Sequence, residues 1–159
     1  ELTVRPVDGL TFGASYAYTD VNVPLTPNPL AGPLYGQLTQ VFTVFTPKNA
    51  VSGSVDYELP IKDGMSLRLH ADANYSDPTY SFQNEAVLTD SSFIVNGSLA
   101  LADIPLTANG TKATLTAWAR NLFNEHHIYR RSNANGSVIG DYANFNAPRT
   151  FGVKATVNF

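Results

Sequence analysis

The sequence predicts an all-β protein, an antiparallel meander of about seven strands that forms part of a transmembrane β-barrel. Apolar and polar residues alternate with a period of two along most of the chain, which places them on opposite faces of a sheet. Charged residues make up only 14% of the 159 residues, below the usual quarter. The connections between strands alternate between short and long, and outer-membrane barrels have this pattern of short turns at one end and long loops at the other.

Composition argues against several other classes of protein. The 10 lysines and arginines, against 13 acidic residues, form no basic stripe, so we expect no nucleic-acid partner. The absence of cysteine excludes disulfides and thiolate metal sites. No apolar run approaches the roughly 18 to 20 residues of a membrane helix. No Ser/His/Asp set, paired-carboxylate motif or Gly-rich phosphate loop is recognisable, so we expect neither enzyme activity nor a cofactor.

The first two predicted strands flank a tight turn. Residues 1–5 alternate as the end of a strand, and residues 6–9 have Pro and Gly where a turn needs them. Residues 10–20 then alternate over about the 9 to 11 residues that cross a bilayer at a tilt. Residues 21–47 contain five prolines, which cannot donate to a sheet ladder, so we expect a long loop. Within it, residues 40–46 are expected to extend a neighbouring strand.

Five further strands show the same alternation, at residues 49–59, 65–76, 92–102, 112–122 and 148–159. Short connections are expected at residues 60–64 and 103–111, and long ones at residues 77–91 and 123–147. Asn109-Gly110 in the second short connection suits a primed hairpin turn. Since antiparallel strands reverse direction at each connection, all the long loops lie at one end of the sheet.

A seven-stranded sheet in lipid would leave two rows of unpaired backbone groups in hydrocarbon, each group costing several kcal/mol. Bacterial single-chain barrels also use even numbers of strands. We therefore expect Glu1 to lie partway along a strand of a larger barrel, with the earlier strands outside this sequence. The long loops would then be external, and Phe159 would end on the periplasmic side.

Two motifs near the C-terminus are the most specific feature of the sequence. The first is Asn121-Leu122-Phe123-Asn124, followed by Tyr129, and the second is Pro148-Arg149-Thr150-Phe151-Gly152, followed by the terminal Phe159. In this order, the two motifs resemble the C-terminal end of the TonB-dependent outer-membrane receptors. In that family an Asn-Leu-Phe-Asp or Asn-Leu-Phe-Asn segment closes the penultimate strand, and Pro-Arg-Thr-aromatic-Gly opens the last strand.

The resemblance implies a plug domain followed by a 22-stranded barrel, of which residues 1–159 are the last third. It further implies active import of a ferric siderophore, or of a similar bulky and scarce solute, through the bacterial outer membrane. The TonB complex would supply the energy through the plug, which lies outside this sequence. This segment would supply barrel wall and external loops, in contact with outer-membrane lipid and lipopolysaccharide.

Two alternatives fit parts of the pattern. A passive porin-like barrel explains the faces and turns but not the two motifs together. A secreted carbohydrate-binding β-sandwich would also alternate, but we expect shorter strands there and no exposed terminal Phe.

The candidate ligand-binding residues lie in the predicted external loops. Arginines can hold an anionic ligand through charge-assisted hydrogen bonds, and aromatic side chains can pack an aromatic siderophore. The candidates of these two kinds are Tyr35, Phe42, Arg130, Arg131, Tyr142 and Phe145. We expect no metal site at Glu125, His126 and His127, because adjacent residues do not share a face and no third ligand follows at a recognised spacing.

Two further groups of residues complete the prediction. The amphipathic last strand resembles the signal that the barrel assembly machinery reads, through Phe151, Val157 and Phe159, although Lys154 stands where the common form has glycine. The charged residues of the polar strand faces are expected to face the lumen and to form cross-strand pairs and plug contacts; they are Asp56, Glu58, Arg68, His70, Asp72, Lys112 and Arg120.

Overall fold

The computed structural model describes residues 1–28, 32–107, 110–133, 138 and 140–158, except for the side chain of Asp63. The strands in this part of the chain are β1 (Leu2–Val7), β2 (Leu10–Tyr18), β3 (Thr26–Pro27), β4 (Leu38–Thr39), β5 (Asn49–Pro60), β6 (Ser66–Ser76), β7 (Ser92–Pro105), β8 (Lys112–Arg120), β9 (Ile128–Ser132), β10 (Tyr142–Phe145) and β11 (Thr150–Asn158). A single 3-10 turn, Lys62–Gly64, precedes β6. No helix formed by the described residues is long and apolar enough to cross a membrane.

Seven strands form one antiparallel sheet in the order β1, β2, β5, β6, β7, β8, β11. Each of these strands pairs with the next one in the chain that belongs to the sheet, which is the predicted all-β meander of seven strands. In the described part of the chain β1 and β11 do not pair with each other, so the sheet is open at both edges. The four short strands form two separate pairs, β3 with β4 and β9 with β10.

The period-two alternation separates a polar face from an apolar face. In the register of β5 and β6, Glu58 lies opposite Arg68, and the next pair along the strands is Tyr57 opposite Leu69. Residues of β1, β2, β5, β6, β7 and β8, most of them polar, line one shared space of about 850 Å³, so the polar face is the concave one. On the other face the large apolar side chains remain exposed, and Phe151 is 78% exposed. Within the described residues nothing covers this convex face, so no second layer formed by them buries it.

Strand β7 runs three residues beyond its predicted end at residue 102. The register with β8 shifts between Leu101 and Ile104, so Ala102 and Asp103 together oppose a single residue of β8. This is a β-bulge, and the positive φ of 58° at Asp103 is its local adjustment. The predicted connection at residues 103–111 is therefore too long at its start, because the alternation rule cannot anticipate an inserted residue.

The connections differ from the prediction in two further ways. Residues 40–46 extend neither β2 nor β5; instead, the first long loop forms its own short ladder of β3 and β4. Residues 123–147, predicted as an irregular connection, contain the hairpin of β9 and β10. Its sequence lacks a period-two apolar pattern, so the rule that identified the other strands misses it. The predictions for Asn109 and Phe159 fall outside the described residues.

Candidate functional site

The three long loops lie at one end of the sheet and contact each other in sequence order. We call residues 19–48 the first loop, residues 77–91 the second loop and residues 121–149 the third loop. The first and second loops meet where the ring of Phe42 packs on the ring of Tyr80, with centroids 4.3 Å apart. Next to this pair, the backbone N–H of Phe42 donates to the carbonyl of Gln83 at 2.9 Å.

The base of the first and second loops is joined by Asp77, which follows β6. Its carboxylate accepts hydrogen bonds from the Asn49 side chain at 2.6 Å, from the Asn49 backbone N–H at 3.0 Å and from the Tyr75 hydroxyl at 2.8 Å. These donors, first the Asn49 side chain and then the Tyr75 hydroxyl, hold the pKa of Asp77 below its usual value of 3.8.

The Asp77 junction predicts a dependence of loop stability on pH. A carboxyl group whose pKa is lowered by folding stabilises the folded state above its unfolded pKa, and this contribution is lost as the pH falls below 3.8 towards the folded pKa. We expect amide exchange at Asn49 to be slower in the wild type than in Asp77→Asn at about pH 6, and this difference to shrink towards about pH 2. Asp8→Asn, at the exposed turn after β1, is the control. A difference independent of pH would contradict the role of the carboxylate.

The second and third loops are joined by a group of hydrogen bonds that we call the clasp. Glu85 accepts from the Ser132 hydroxyl and from the backbone N–H of Asn133, both at 2.7 Å. Asp90 accepts from the backbone N–H of Ile128 at 2.8 Å. The clasp is completed by the Ser81 hydroxyl, which accepts from the backbone N–H of Arg131 at 3.0 Å. The outer edge of β9 is therefore held by side chains of the second loop, where a third strand would otherwise pair.

Replacing Glu85 with alanine is expected to loosen the hairpin of β9 and β10. Ser132 is buried, so its hydroxyl would lose its partner without gaining free access to water. Loss of such a bond costs about 1 to 3 kcal/mol, and we expect amide exchange at Asn133 to become about tenfold faster or more. Gln83→Ala is the matched control, because its exposed side chain makes no hydrogen bond within the described residues. Unchanged exchange in Glu85→Ala would show that the clasp does not hold the hairpin.

The two sequence motifs meet at the base of the third loop. The buried side chain of Asn121 accepts from the Glu125 backbone N–H at 2.8 Å and donates to the carbonyls of Glu125 at 2.8 Å and Ala147 at 3.1 Å. The Asn124 side chain accepts from the backbone N–H of Arg149 at 3.0 Å. Asn121 and Asn124 both have positive φ angles, 50° and 54°, which asparagine adopts more readily than most residues. The motif asparagines thus hold the two ends of the third loop together. We call this junction, residues 121–127 and 146–149, the neck of the loop.

The same neck includes His127, one of the three residues at which no metal site is expected. His127 is buried, and its Nδ1 lies 2.7 Å from a carboxylate oxygen of Glu125. Its backbone N–H donates to the Asn146 side chain at 2.9 Å. Within the described residues no three His, Cys, Asp or Glu side chains are arranged to hold a metal ion. Glu125 and His127 serve this neck through hydrogen bonds.

The structure brings only some of the candidate ligand-binding residues together. Four of them belong to the hairpin of β9 and β10; they are Arg130, Arg131, Tyr142 and Phe145. The guanidinium of Arg130 lies 5.2 Å from the ring centroid of Phe82 in the second loop. The ring of Phe42 packs on the ring of Tyr80, whereas Tyr35 of the first loop is 70% exposed. The exposed rings of the hairpin and of Tyr35 are the surfaces open to a ligand.

The remaining motif side chains lie in exposed positions. Leu122 is 42% and Phe123 69% exposed. Pro148 and Arg149 are exposed before β11, where an Arg149 Nη1 donates to the Leu122 carbonyl at 3.4 Å. Of the proposed assembly signal, Phe151 and Val157 are exposed on the convex face.

On the concave face, the charged residues of β5, β6 and β7 pair with one another. Arg68 bridges Glu58 at 3.0 Å and Asp103 at 2.9 Å, and Asp103 also lies 3.6 Å from Lys112 Nζ. A second cluster places His70 Nδ1 2.7 Å from Asp56 and Nε2 3.5 Å from Asp72. The predicted cross-strand ion pairs are therefore confirmed for Asp56, Glu58, Arg68, His70 and Lys112. Asp72 instead approaches His70 of its own strand and accepts a hydrogen bond from Asn96 of β7, and Arg120 forms no ion pair within the described residues. Such exposed pairs contribute little stability individually, so their main effect is on the charge of the concave face.

Several residues of these surfaces were not predicted from sequence. Asp103 reaches the concave face only through the bulge in β7, and Ser81, Glu85 and Asp90 have an unremarkable loop sequence. Comparison with protein-family models, curated proteins and solved structures finds no match to this chain.

Proposed function

We propose that this chain is the C-terminal third of the 22-stranded barrel of a TonB-dependent outer-membrane receptor. The observation that carries the proposal is the junction of the two motifs, in which Asn121 and Asn124 bind the chain at Ala147 and Arg149. This contact gives a physical reason for finding both motifs in one sequence, in this order. A porin-like barrel or a β-sandwich offers no reason for the pair.

The two faces of the sheet support a membrane location for the chain. The convex face exposes large apolar side chains without a described partner, as a wall in contact with outer-membrane lipid and lipopolysaccharide would. The concave face carries the charges and would face the lumen, and the unpaired edges of β1 and β11 would continue into neighbouring strands. The apolar side chains of Phe151 and Val157 would also be available to the barrel assembly machinery.

In this proposal the receptor imports a ferric siderophore or a similar bulky, scarce solute. The external loops capture the ligand, and we assign this contact to Tyr35 and to the hairpin residues Arg130, Arg131, Tyr142 and Phe145. The TonB complex drives release through a plug domain outside this sequence. Phe42 contributes indirectly, since its ring positions the first loop against Tyr80.

An antibody against residues 121–159 tests the proposal on outer membranes of the source cells, boiled and unboiled, with and without iron starvation. We expect a heat-shifting band several times larger than 17.2 kDa that increases on iron starvation. A large band whose amount does not depend on iron would support the receptor and count against a ferric siderophore as its substrate. A heat-shifting band of porin size would support the passive barrel, and a soluble band of 17.2 kDa would overturn the membrane location.

A further inference from the structure

We infer that the concave face of β8 and β11 carries a binding site for an anionic solute with an aromatic ring, formed by Arg120, Trp118 and Lys154. This inference rests on the proposed function for its location in the lumen, and it adds the chemical class of the solute. The site is distinct from the loop residues assigned above to ligand capture.

The register of the two strands brings these side chains into one patch. Three consecutive pairs on the same face are Arg120 with Thr150, Trp118 with Gly152, and Thr116 with Lys154. The two cations are therefore separated by the Trp118 row, and their backbone positions are about 13 Å apart along the strands at roughly 3.3 Å per residue. An aromatic ring thus stands between two positive charges.

The indole of Trp118 lies across its neighbour on β11. A Cβ atom at Gly152 would lie between 2.8 and 3.2 Å from three indole atoms, so the ring occupies the space that a side chain would need. The Arg120 guanidinium lies 5.8 Å from the ring centroid, within reach of a cation–π interaction. The half-buried ring is held in place from two sides and can accept a second planar group by stacking.

The charges of this patch are not neutralised by the sheet. Neither β8 nor β11 contains an acidic residue. The carboxylates of the concave face lie on β5, β6 and β7, where they already pair with Arg68, His70 and Lys112. Arg120 and Lys154 are exposed and form no ion pair with any residue that the structure describes. The two free cations therefore favour an anion on this part of the wall.

The chemistry of the patch selects among solutes. Carboxylate or phenolate oxygens would accept charge-assisted hydrogen bonds from the guanidinium and the ammonium group, while an aromatic ring would stack on Trp118. Thr116 and Thr150 add hydroxyl groups at the two cation rows. A neutral chelate would gain only the stacking and the hydroxyl contacts. Anionic, aromatic chelates are thus the class that the patch fits.

The test compares two ferric probes on the complete receptor purified in detergent. Ferric tris(2,3-dihydroxybenzoate) is anionic and aromatic, and a ferric trihydroxamate is neutral. In the double variant Arg120→Gln, Lys154→Gln we expect binding of the anionic probe to weaken about tenfold or more, and binding of the neutral probe to change less than about twofold. Lys112→Gln is the matched control, because this cation on β8 already pairs with Asp103. Equal binding of the anionic probe to wild type and double variant would overturn the inference.

A second measurement does not depend on import or on iron. Trp118 is the only tryptophan of this chain, so its emission is the difference between the wild type and Trp118→Phe. We expect iodide to quench this emission more strongly than caesium in the wild type, and the double variant to lose this preference. No preference for iodide in the wild type would overturn the inference, including the case in which another part of the receptor covers the patch. A preference for iodide without binding of either ferric probe would support the anion site and count against the ferric substrate.

Discussion

Replacing Gly152 with alanine is expected to destabilise the pairing of β8 and β11 by about 1 to 3 kcal/mol. The added Cβ would lie 2.8 Å from Cζ2, 3.0 Å from Cε2 and 3.2 Å from Nε1 of Trp118. These atoms belong to one rigid ring, so no single flexible end can move away. The indole must leave its position over β11, and its arrangement with Arg120 is lost with it. The free energy of unfolding in detergent and the fraction of heat-resistant band measure the effect.

Gly53→Ala is the matched control for this variant. Gly53 likewise lies within a strand of the seven-stranded sheet, β5, but the nearest heavy atom to an added Cβ is a backbone oxygen 3.9 Å away. Both substitutions reduce the freedom of the unfolded chain to the same extent, so their difference isolates the contact with Trp118. In a Trp118→Ala background the difference should vanish. If Gly152→Ala and Gly53→Ala are equally stable with Trp118 present, the position of the indole does not require a glycine at residue 152.

The same alternation that predicts the sheet also limits what the sequence can predict. Residues 65–76 alternate six times, and β6 is found at Ser66–Ser76 with its faces as expected. The rule assumes that each residue of a strand faces one residue of its neighbour. It therefore cannot predict the bulge at Asp103, where two residues of β7 face one residue of β8. It also depends on one face being apolar, and β9 reads Ile-Tyr-Arg-Arg-Ser, which has no such face.

The contacts between the loops could not be predicted from the sequence for a different reason. The candidate residues Arg130 and Tyr142 follow from residue type alone, because arginine and tyrosine suit a charged aromatic ligand. Their supports lie far away in the chain: Glu85 is 47 residues from Ser132, and Ser81 is 50 residues from Arg131. No local pattern marks such pairs. The motifs were assigned to the ends of two neighbouring strands, but the contacts of Asn121 with Ala147 and of Asn124 with Arg149 were not predicted.

Replacing Asn121 with alanine is expected to open the neck of the third loop. The variant would leave the Glu125 N–H without its partner, and the carbonyls of Glu125 and Ala147 would keep only their hydrogen bonds from the Asn146 side chain. Loss of the bond to the N–H costs about 1 to 3 kcal/mol, and alanine at a φ of 50° adds about 1 kcal/mol. We therefore expect the free energy of local opening to fall by about 2 to 4 kcal/mol, measured by native-state hydrogen exchange at the Glu125 amide.

Asn124→Ala separates the hydrogen bonds of Asn121 from its backbone strain. Asn124 has a φ of 54°, close to that of Asn121, but it is exposed and holds a single backbone donor, the N–H of Arg149. If strain dominated, the two variants would open the neck equally. If burial and the three hydrogen bonds dominate, Asn121→Ala costs at least twice as much. The second result would show that Asn121 acts through its side-chain amide, which accepts from the Glu125 N–H and donates to the carbonyls of Glu125 and Ala147, and not only through its tolerance of a positive φ.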